Sequence, residues 1–328
     1  MKYAYSLVIF ASIFCANAVP AFAQGGGEIV KPRNYKPLTI TPNGDLNDIL
    51  TATMEGTINA FAAKNLKREE IAATLIDMTD ASDLKSASFN GNMQLYTASV
   101  VKMFYMAALE RQLEDGKVKT SPELERGLKD MIVDSSNDAT GYILDVLTQT
   151  SSGAELPTKQ FEAWQRKRNR VNRYFASMGY TNININQKTF CEDAYGIEQQ
   201  SRKYKGANRN MLTTDATARL MAEIVSGNIA TKMRTDRMMS LMKRDPFAKD
   251  PAGQAVEFIG KALMDENIRD AKLYAKAGWT SKSRHDAAYI ELANGKKFVL
   301  VIFTENHAQE KNIIAGIAKV IINAVRGK

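Results

Sequence analysis

The sequence predicts an α+β protein in three layers (α/β/α). An antiparallel sheet of about five strands is built from both ends of the chain and flanked by terminal helices, and an all-helical lobe is inserted between the ends. Three observations carry this. Strand-like segments fall near residues 71–98 and 272–305, while helical spacing fills the stretch between them. The last two strand segments are joined by Asn294-Gly295, the strongest short hairpin signal. Apolar residues at helical spacing open the region at Leu46, Ile49, Leu50, Met54, Ile58 and Phe61, and close it at positions 313, 314, 317, 320, 321 and 325.

The chain begins MKYAYSLVIFASIFCANAVPAFAQ. Lys2, the apolar run over 5–19 and Ala21-Phe22-Ala23 have the order of a secretory signal peptide, residues 1–23, cut after Ala23. The run is short for a membrane span, and Phe14 is too bulky to precede a lipid-modified Cys15. Residues 24–45, rich in Gly and Pro and without period, read as a flexible leader. The rest, 46–328, is long enough for one large domain, with an α/β lobe at about 46–98 and 265–328 and a helical lobe at about 99–264.

Within that domain, IAATLIDMTD alternates loosely and is β-branched, which predicts a strand; a second is expected to end near NMQLYTAS, after the turn Asn90-Gly91. VVKMFYMAALERQLEDG is a helix stopped by Gly116, and SPELERGLKDMIVDSSNDATGYILDVLTQ holds two helices broken at Asp134–Asn137. TKQFEAWQRKRNRVNRYFASMG reads as one helix ended by Gly179. TTDATARLMAEIVSG reads as another, capped by Thr213 or Thr214 and stopped by Gly227. Residues 231–243 and 253–264 suggest two more, before the strands KLYAKAGWT, DAAYIELA and KKFVLVIFTE.

Forty-four Lys and Arg against 36 Asp and Glu give a net charge of +8, which suits an anionic surface such as a cell wall; no nucleic-acid-binding motif accompanies it. Past the signal peptide only Cys191 remains, so no internal disulfide can form, and Cys191 reads as structural. Two histidines, His285 and His307, are poor material for a zinc hydrolase, and the reading needs no cofactor. His285 is expected to serve structurally at a strand start and His307 to face solvent. Arg284-His285-Asp286 does not suggest a triad: there is no Gly-x-Ser-x-Gly elbow, and adjacent strand residues point to opposite faces. The basic run over 165–173 reads as a solvated helix face, with Trp164, Val171, Tyr174 and Phe175 inward, in preference to a site for an anionic polymer.

The chemistry is concentrated in YTASVVKMFYMAAL, where Ser99 and Lys102 stand three apart at a helix start. A serine hydroxyl needs a neighbouring base to become a nucleophile. A lysine desolvated by apolar neighbours can be that base, because burial disfavours its charged form. Alone the spacing is common, and a snorkelling lysine would explain it equally well. Two further segments follow in order: Ser135-Ser136-Asn137 between two helices, and Lys276-Ala277-Gly278 in a strand.

Together these segments resemble the Ser-x-x-Lys, Ser-Asp-Asn and Lys-Thr-Gly motifs of the class A β-lactamase and penicillin-binding-protein superfamily of serine hydrolases, over roughly residues 46–328. The resemblance implies a β-lactamase/transpeptidase-like fold and hydrolysis of a β-lactam amide through an acyl-enzyme on Ser99. Lys102 would take the serine proton and Ser135 would pass one to the leaving nitrogen. Asn137 and Lys276 would bind substrate. Gly278 would let it approach the strand edge, and the backbone N–H groups of Ser99 and Trp279 would form the oxyanion hole. Arg284 falls where some members carry a carboxylate-binding arginine. Ser136 replaces an aspartate, and Ala277 a hydroxyl residue whose loss removes a donor worth about 0.5–1.5 kcal/mol, which Thr280 or Ser281 could replace. The family's Glu-x-x-Leu-Asn is absent. Glu198, 15 residues before Thr213, is the candidate deacylating base and Glu192 the alternative; neither is followed four residues later by Asn. Two alternatives follow: a peptidase on D-Ala-D-Ala stems of peptidoglycan (or a related amidase or esterase) with slow β-lactam deacylation, and a catalytically degenerate wall-binding protein. The expected setting is periplasmic or secreted. The expected protein is a monomer, with no stable membrane anchor after signal cleavage and no nucleic-acid partner.

Overall fold

A central sheet of seven strands organises the protein, which is a computed structural model describing residues 27–327. The expected signal peptide lies outside the described residues. In chain order the elements are β1 (Ile40–Pro42), α1 (Gly44–Ala60), β2 (Ile71–Asp77), β3 (Leu84–Phe89), β4 (Leu95–Tyr96), α2 (Val101–Glu114), α3 (Pro122–Ile132), α4 (Asn137–Thr148), α5 (Thr158–Arg168), α6 (Arg170–Ser177) and α7 (Ile197–Arg202). There follow β5 (Met211–Leu212), α8 (Thr214–Val225), α9 (Lys232–Met242), β6 (Lys243–Arg244), α10 (Gly253–Val256), α11 (Ile259–Asp265), β7 (Lys272–Trp279), β8 (Arg284–Glu291), β9 (Lys297–Thr304) and α12 (Asn312–Arg326). The sheet order is β1-β3-β2-β9-β8-β7-β6.

Five long strands from both chain ends form the expected antiparallel sheet. The other two, β1 and β6, are edge strands of three and two residues, too short to leave a period in the sequence. β1 also runs parallel to β3. The expected second strand is displaced: β3 precedes the Asn90-Gly91 turn, and β4 pairs only with β5, outside the main sheet. The β8–β9 hairpin closes at Gly295, whose φ of 84° is the left-handed geometry that favours glycine.

Both sheet faces are covered, and alternation along a strand divides its side chains between two cores. In β9, Val299, Val301 and Phe303 face the helical side, while Phe298, Leu300 and Ile302 face α1, α11 and α12. This explains why β9 reads as a continuous apolar run. On the helical side α8, capped by the Thr213 hydroxyl, packs directly on β2 and β9, so the middle of the chain is part of the sheet's cover as well as a lobe. α2 runs through the centre of this layer, with every residue from Val101 to Leu113 buried. An apolar helix buried all round is the physical origin of the unbroken sequence around Lys102.

Three expectations are corrected. The leader is packed over its described part: Ile29 is buried in the helical-side core, Tyr35 donates to Glu223, and β1 joins the sheet. The 158–177 segment is two helices meeting at Asn169, and its basic run is not a uniformly solvated face. Arg168 is fully buried and Arg170 nearly so, while Arg166 and Lys167 are exposed. His307 is also buried, facing Glu70 with Nε2 at 3.0 Å, because the 305–311 turn folds back onto the Arg68–Glu70 turn.

Candidate active site

Ser99 lies in a tight helical turn, Ala98–Val100, at the entrance to α2, and is partly exposed. Ala98 before it has a φ of 45°, an uncommon conformation for a residue with a Cβ. β7 presses on this turn. A Cβ added at Gly278 would lie 2.7 Å from Ser99 N, 2.9 Å from Thr97 O and 2.9 Å from Val100 N. Only glycine allows the strand and the turn to meet, so Gly278 is a close-approach residue.

Lys102, in the first turn of α2, is fully buried. Its Nζ donates to Ser135 O at 2.5 Å, to Asn137 Oδ1 at 2.8 Å and to Ser135 Oγ at 3.3 Å. Burial lowers its pKa from 10.5 to about 7, opposed weakly by the nearby Cys191. Ser135 is itself held at a φ of 59°, in the short break between α3 and α4 that the sequence marked. From the sheet side Lys276, also fully buried, donates to Ser135 Oγ at 3.0 Å, Gln254 Oε1 at 2.8 Å and Ala277 O at 2.9 Å. Burial pushes its pKa well down, and the neighbouring Lys102 and Arg244 push the same way. Two lysines from different lobes thus converge on one serine hydroxyl.

Around this cluster are groups that sequence reasoning missed. Gln254 bridges Lys276 to Val133 O through its amide, and Asp286, opposite Ala277 across the β7–β8 pair, is fully buried. Burial raises the Asp286 pKa to about 6, and Ile259 N, then Lys276, pull against that rise. No local pattern announces either residue: Gln254 meets Lys276 22 positions away, and the Asp286 carboxylate accepts from Ile259 N, 27 positions away. Cys191, read from the sequence as structural, is an exposed free thiol. Its Sγ lies 3.2 Å from Asn137 Nδ2, and it forms the wall shared by two cavities. One, of about 500 Å³, also meets Tyr96, Arg209 and the Thr280–Ser283 turn; the other, of about 430 Å³, meets Asn137 and Lys188.

The remaining expected residues sit elsewhere. Glu198 is buried in α7, and both of its oxygens accept from Arg168, at 2.8 Å each. Ser152 donates at 2.9 Å and Lys188 Nζ lies at 3.5 Å. Burial alone would raise its pKa, but the Arg168 hydrogen bonds and charge reverse the sign and leave it lowered. Glu192 is exposed on the wall of the larger cavity. Arg284 is buried, stacked 4.1 Å over Phe258, with its guanidinium on the Glu257 carbonyl and carboxylate. Trp279 is half exposed at the end of β7. Ala277 faces the α11–α12 core, fully buried, and the Thr280 hydroxyl accepts from Lys282 N and Ser283 N within its own turn. His285 serves structurally: Nε2 lies 2.7 Å from Tyr96 O and Nδ1 accepts from Thr304 N, while burial lowers its pKa to about 4.

The arrangement supplies a hydroxyl at a strained turn, a buried amine of near-neutral pKa, and a second hydroxyl held between two amines. These are the parts that acyl transfer by a serine nucleophile requires. Comparison with known proteins gives the fold and the family. Among solved structures, a PBP-A mutant caught as an acyl-enzyme complex with penicillin G superposes with a TM-score of 0.63 at 16% identity, covering 89% of this chain and 100% of that one. The TLA-1 extended-spectrum β-lactamase gives 0.62 at 16% identity, with 86% and 100% covered. The β-lactamase from Sphaerobacter thermophilus DSM 20745 gives 0.59 at 17%, with 84% and 98% covered. At such identities the likeness is one of fold. No curated protein sequence matches. The profile of the beta-lactamase enzyme family, however, matches residues 54–325, and the chain belongs to that family.

Proposed function

We propose that the protein is an exported, periplasmic or secreted serine acyl-transfer enzyme. It takes β-lactams and D-Ala-D-Ala-type stem peptides onto Ser99 and releases β-lactam acyl groups slowly. The observation that carries this is the convergence of Lys102 Nζ and Lys276 Nζ on Ser135 Oγ, at 3.3 and 3.0 Å, beside the Ser99 turn. In this reading neutral Lys102 takes the Ser99 proton, Ser99 Oγ bonds to the substrate carbonyl carbon, and the C–N bond breaks. The proton reaches the leaving nitrogen through the Ser135 hydroxyl, which the two amines orient. Asn137, held by Lys102, offers its amide to the substrate, and the edge of β7 beside Gly278 offers backbone hydrogen bonds to an extended ligand.

Slow release follows from the carboxylates. A hydrolytic water needs a base beside the acyl group, and Glu198, the carboxylate expected to serve, has its oxygens taken by Arg168, Ser152 and Lys188. Cys191 occupies the ledge next to Asn137 instead. A chromogenic cephalosporin with purified protein tests the proposal: a burst of one equivalent followed by a slow steady rate is expected, lost in Ser99→Ala. Fast multiple turnover would support a true β-lactamase. No labelling of the wild type, with peptidoglycan binding retained, would indicate a degenerate wall-binding protein.

A further inference from the structure

The basic run 165–173 contributes to a cavity that the acyl-transfer chemistry leaves unused. α5 and α6, the 184–186 segment and the 204–208 turn enclose about 540 Å³, within the range that small-ligand pockets span. Its lining is mainly polar and contains none of Ser99, Lys102, Ser135 or Lys276.

The floor is a ladder of carboxamides that fix one another. Asn172 Nδ2 donates to Asn169 Oδ1 and to Asn184 Oδ1, both at 2.7 Å. Asn184 donates to Asn208 Oδ1 at 2.8 Å, and Asn186 to Asn169 Oδ1 at 3.0 Å. Asn186 and Asn208 are buried, so the array is rigid rather than a set of mobile surface groups. A primary amide carries two donors and two acceptor sites. Asn172 and Asn184 spend both amide donors on Asn169, Asn184, Asn208 and the Arg209 carbonyl, while among the described residues the Asn169 amide nitrogen donates to no protein group, so the wall offers that donor beside acceptor oxygens, which suits hydroxyl groups that donate and accept at once. Tyr204, partly exposed and set edge-on against Phe161, supplies an aromatic wall.

Charge selects among polyhydroxylated ligands. Arg166 and Lys205 stand exposed on the lining, and among the described residues neither forms an ion pair. Arg173 is neutralised by Glu28, and Glu162 is the only acid of the lining. Guanidinium and ammonium groups bind carboxylate and phosphate oxygens through charge-assisted hydrogen bonds. We propose that this cavity is a second binding site, distinct from the Ser99 cleft, for an anionic saccharide: a sugar unit bearing a carboxylate or phosphate, from a glycan chain or free in solution.

Calorimetric titration of the full protein with trigalacturonate, glucose 6-phosphate, neutral maltotriose and inorganic phosphate tests this. At least one anionic sugar is expected to bind tenfold or more tightly than both maltotriose and phosphate, more weakly as salt rises. Preference for trigalacturonate would assign the site to a glycan, and preference for glucose 6-phosphate to a free phosphosugar. Arg166→Glu with Lys205→Glu should weaken that binding at least about tenfold, or about 1.4 kcal/mol, while fluorescent-penicillin labelling of Ser99 stays at the wild-type level and reports an intact fold. Tyr204→Leu should weaken the sugar and leave any phosphate binding unchanged. Equal affinity for maltotriose or for phosphate, binding insensitive to the double charge reversal, or no binding at all would overturn the proposal and leave the amide ladder a purely structural tie.

Discussion

The rate at which Ser99 is acylated should rise with pH about a midpoint near 7. Burial lowers the Lys102 pKa from 10.5 to about 7, and only the neutral amine can take the serine proton. With that midpoint the neutral fraction rises about thirtyfold between about pH 5.5 and 8.5. The assay is the second-order rate of covalent labelling by a fluorescent penicillin, at sub-saturating concentration, across that range. Lys102→Arg, which keeps its charge throughout, should remove the rise and most of the rate. The same shift acts on stability. The folded pKa lies below the unfolded one, so from about pH 7 to 10.5 the unfolded chain binds more protons and stability climbs with pH; below 7 the full cost of the buried amine is present. Lys102→Met should therefore stabilise the protein at neutral pH, by up to about 4 kcal/mol, while abolishing labelling. A flat labelling profile, or a midpoint near an ordinary lysine value, would refute the reasoning.

Other perturbations separate the site from its supports. Glu198→Gln takes the bidentate carboxylate from the buried Arg168, which keeps only Asp145 at 3.2 Å as a charged partner, and should destabilise the fold by about 1–3 kcal/mol, seen in denaturant melts, while the folded fraction still labels at the wild-type level. Gly278→Ala would drive a methyl into the backbone of Ser99 and Thr97, and labelling should fall at least tenfold, with a stability loss of about 1–3 kcal/mol. Cys191→Glu sets a carboxylate on the ledge beside Asn137 and Lys102; the slow phase after the cephalosporin burst should accelerate, and an unchanged slow phase would show that the ledge does not govern release. Gln254→Leu removes one of the three acceptors of the Lys276 amine and the donor to the Val133 carbonyl, and should cost both stability, about 1–3 kcal/mol, and labelling rate.

Much of this was legible in the chain. The long strands, the Asn294-Gly295 hairpin, the caps at Thr213 and Gly227 and the break at Asp134–Asn137 are local features, fixed by period and turn chemistry within a dozen residues. The three motifs stood out because Ser-x-x-Lys lies within one turn of a helix and the other two sit at a helix break and in a strand. Lys102 could be read as buried because an unbroken apolar helix must be surrounded. Where the reading went astray, a distant partner decided the outcome. Leader residues Ile29 and Tyr35 are held by the helical layer, the latter through Glu223, nearly 190 positions away. Arg168 is buried because Glu198, on α7 and 30 positions away, meets it, and that pairing draws the expected base into a salt bridge. The sequence alone thus determined the sheet, the buried amine and the three motifs, since each arises from contacts within a few residues. Only the tertiary structure could decide that two lysines share Ser135, that Cys191 borders Asn137 and that Glu198 is spent on Arg168. A charge or thiol is positioned by whichever chain segment packs against it, and neighbouring residues carry no record of that choice.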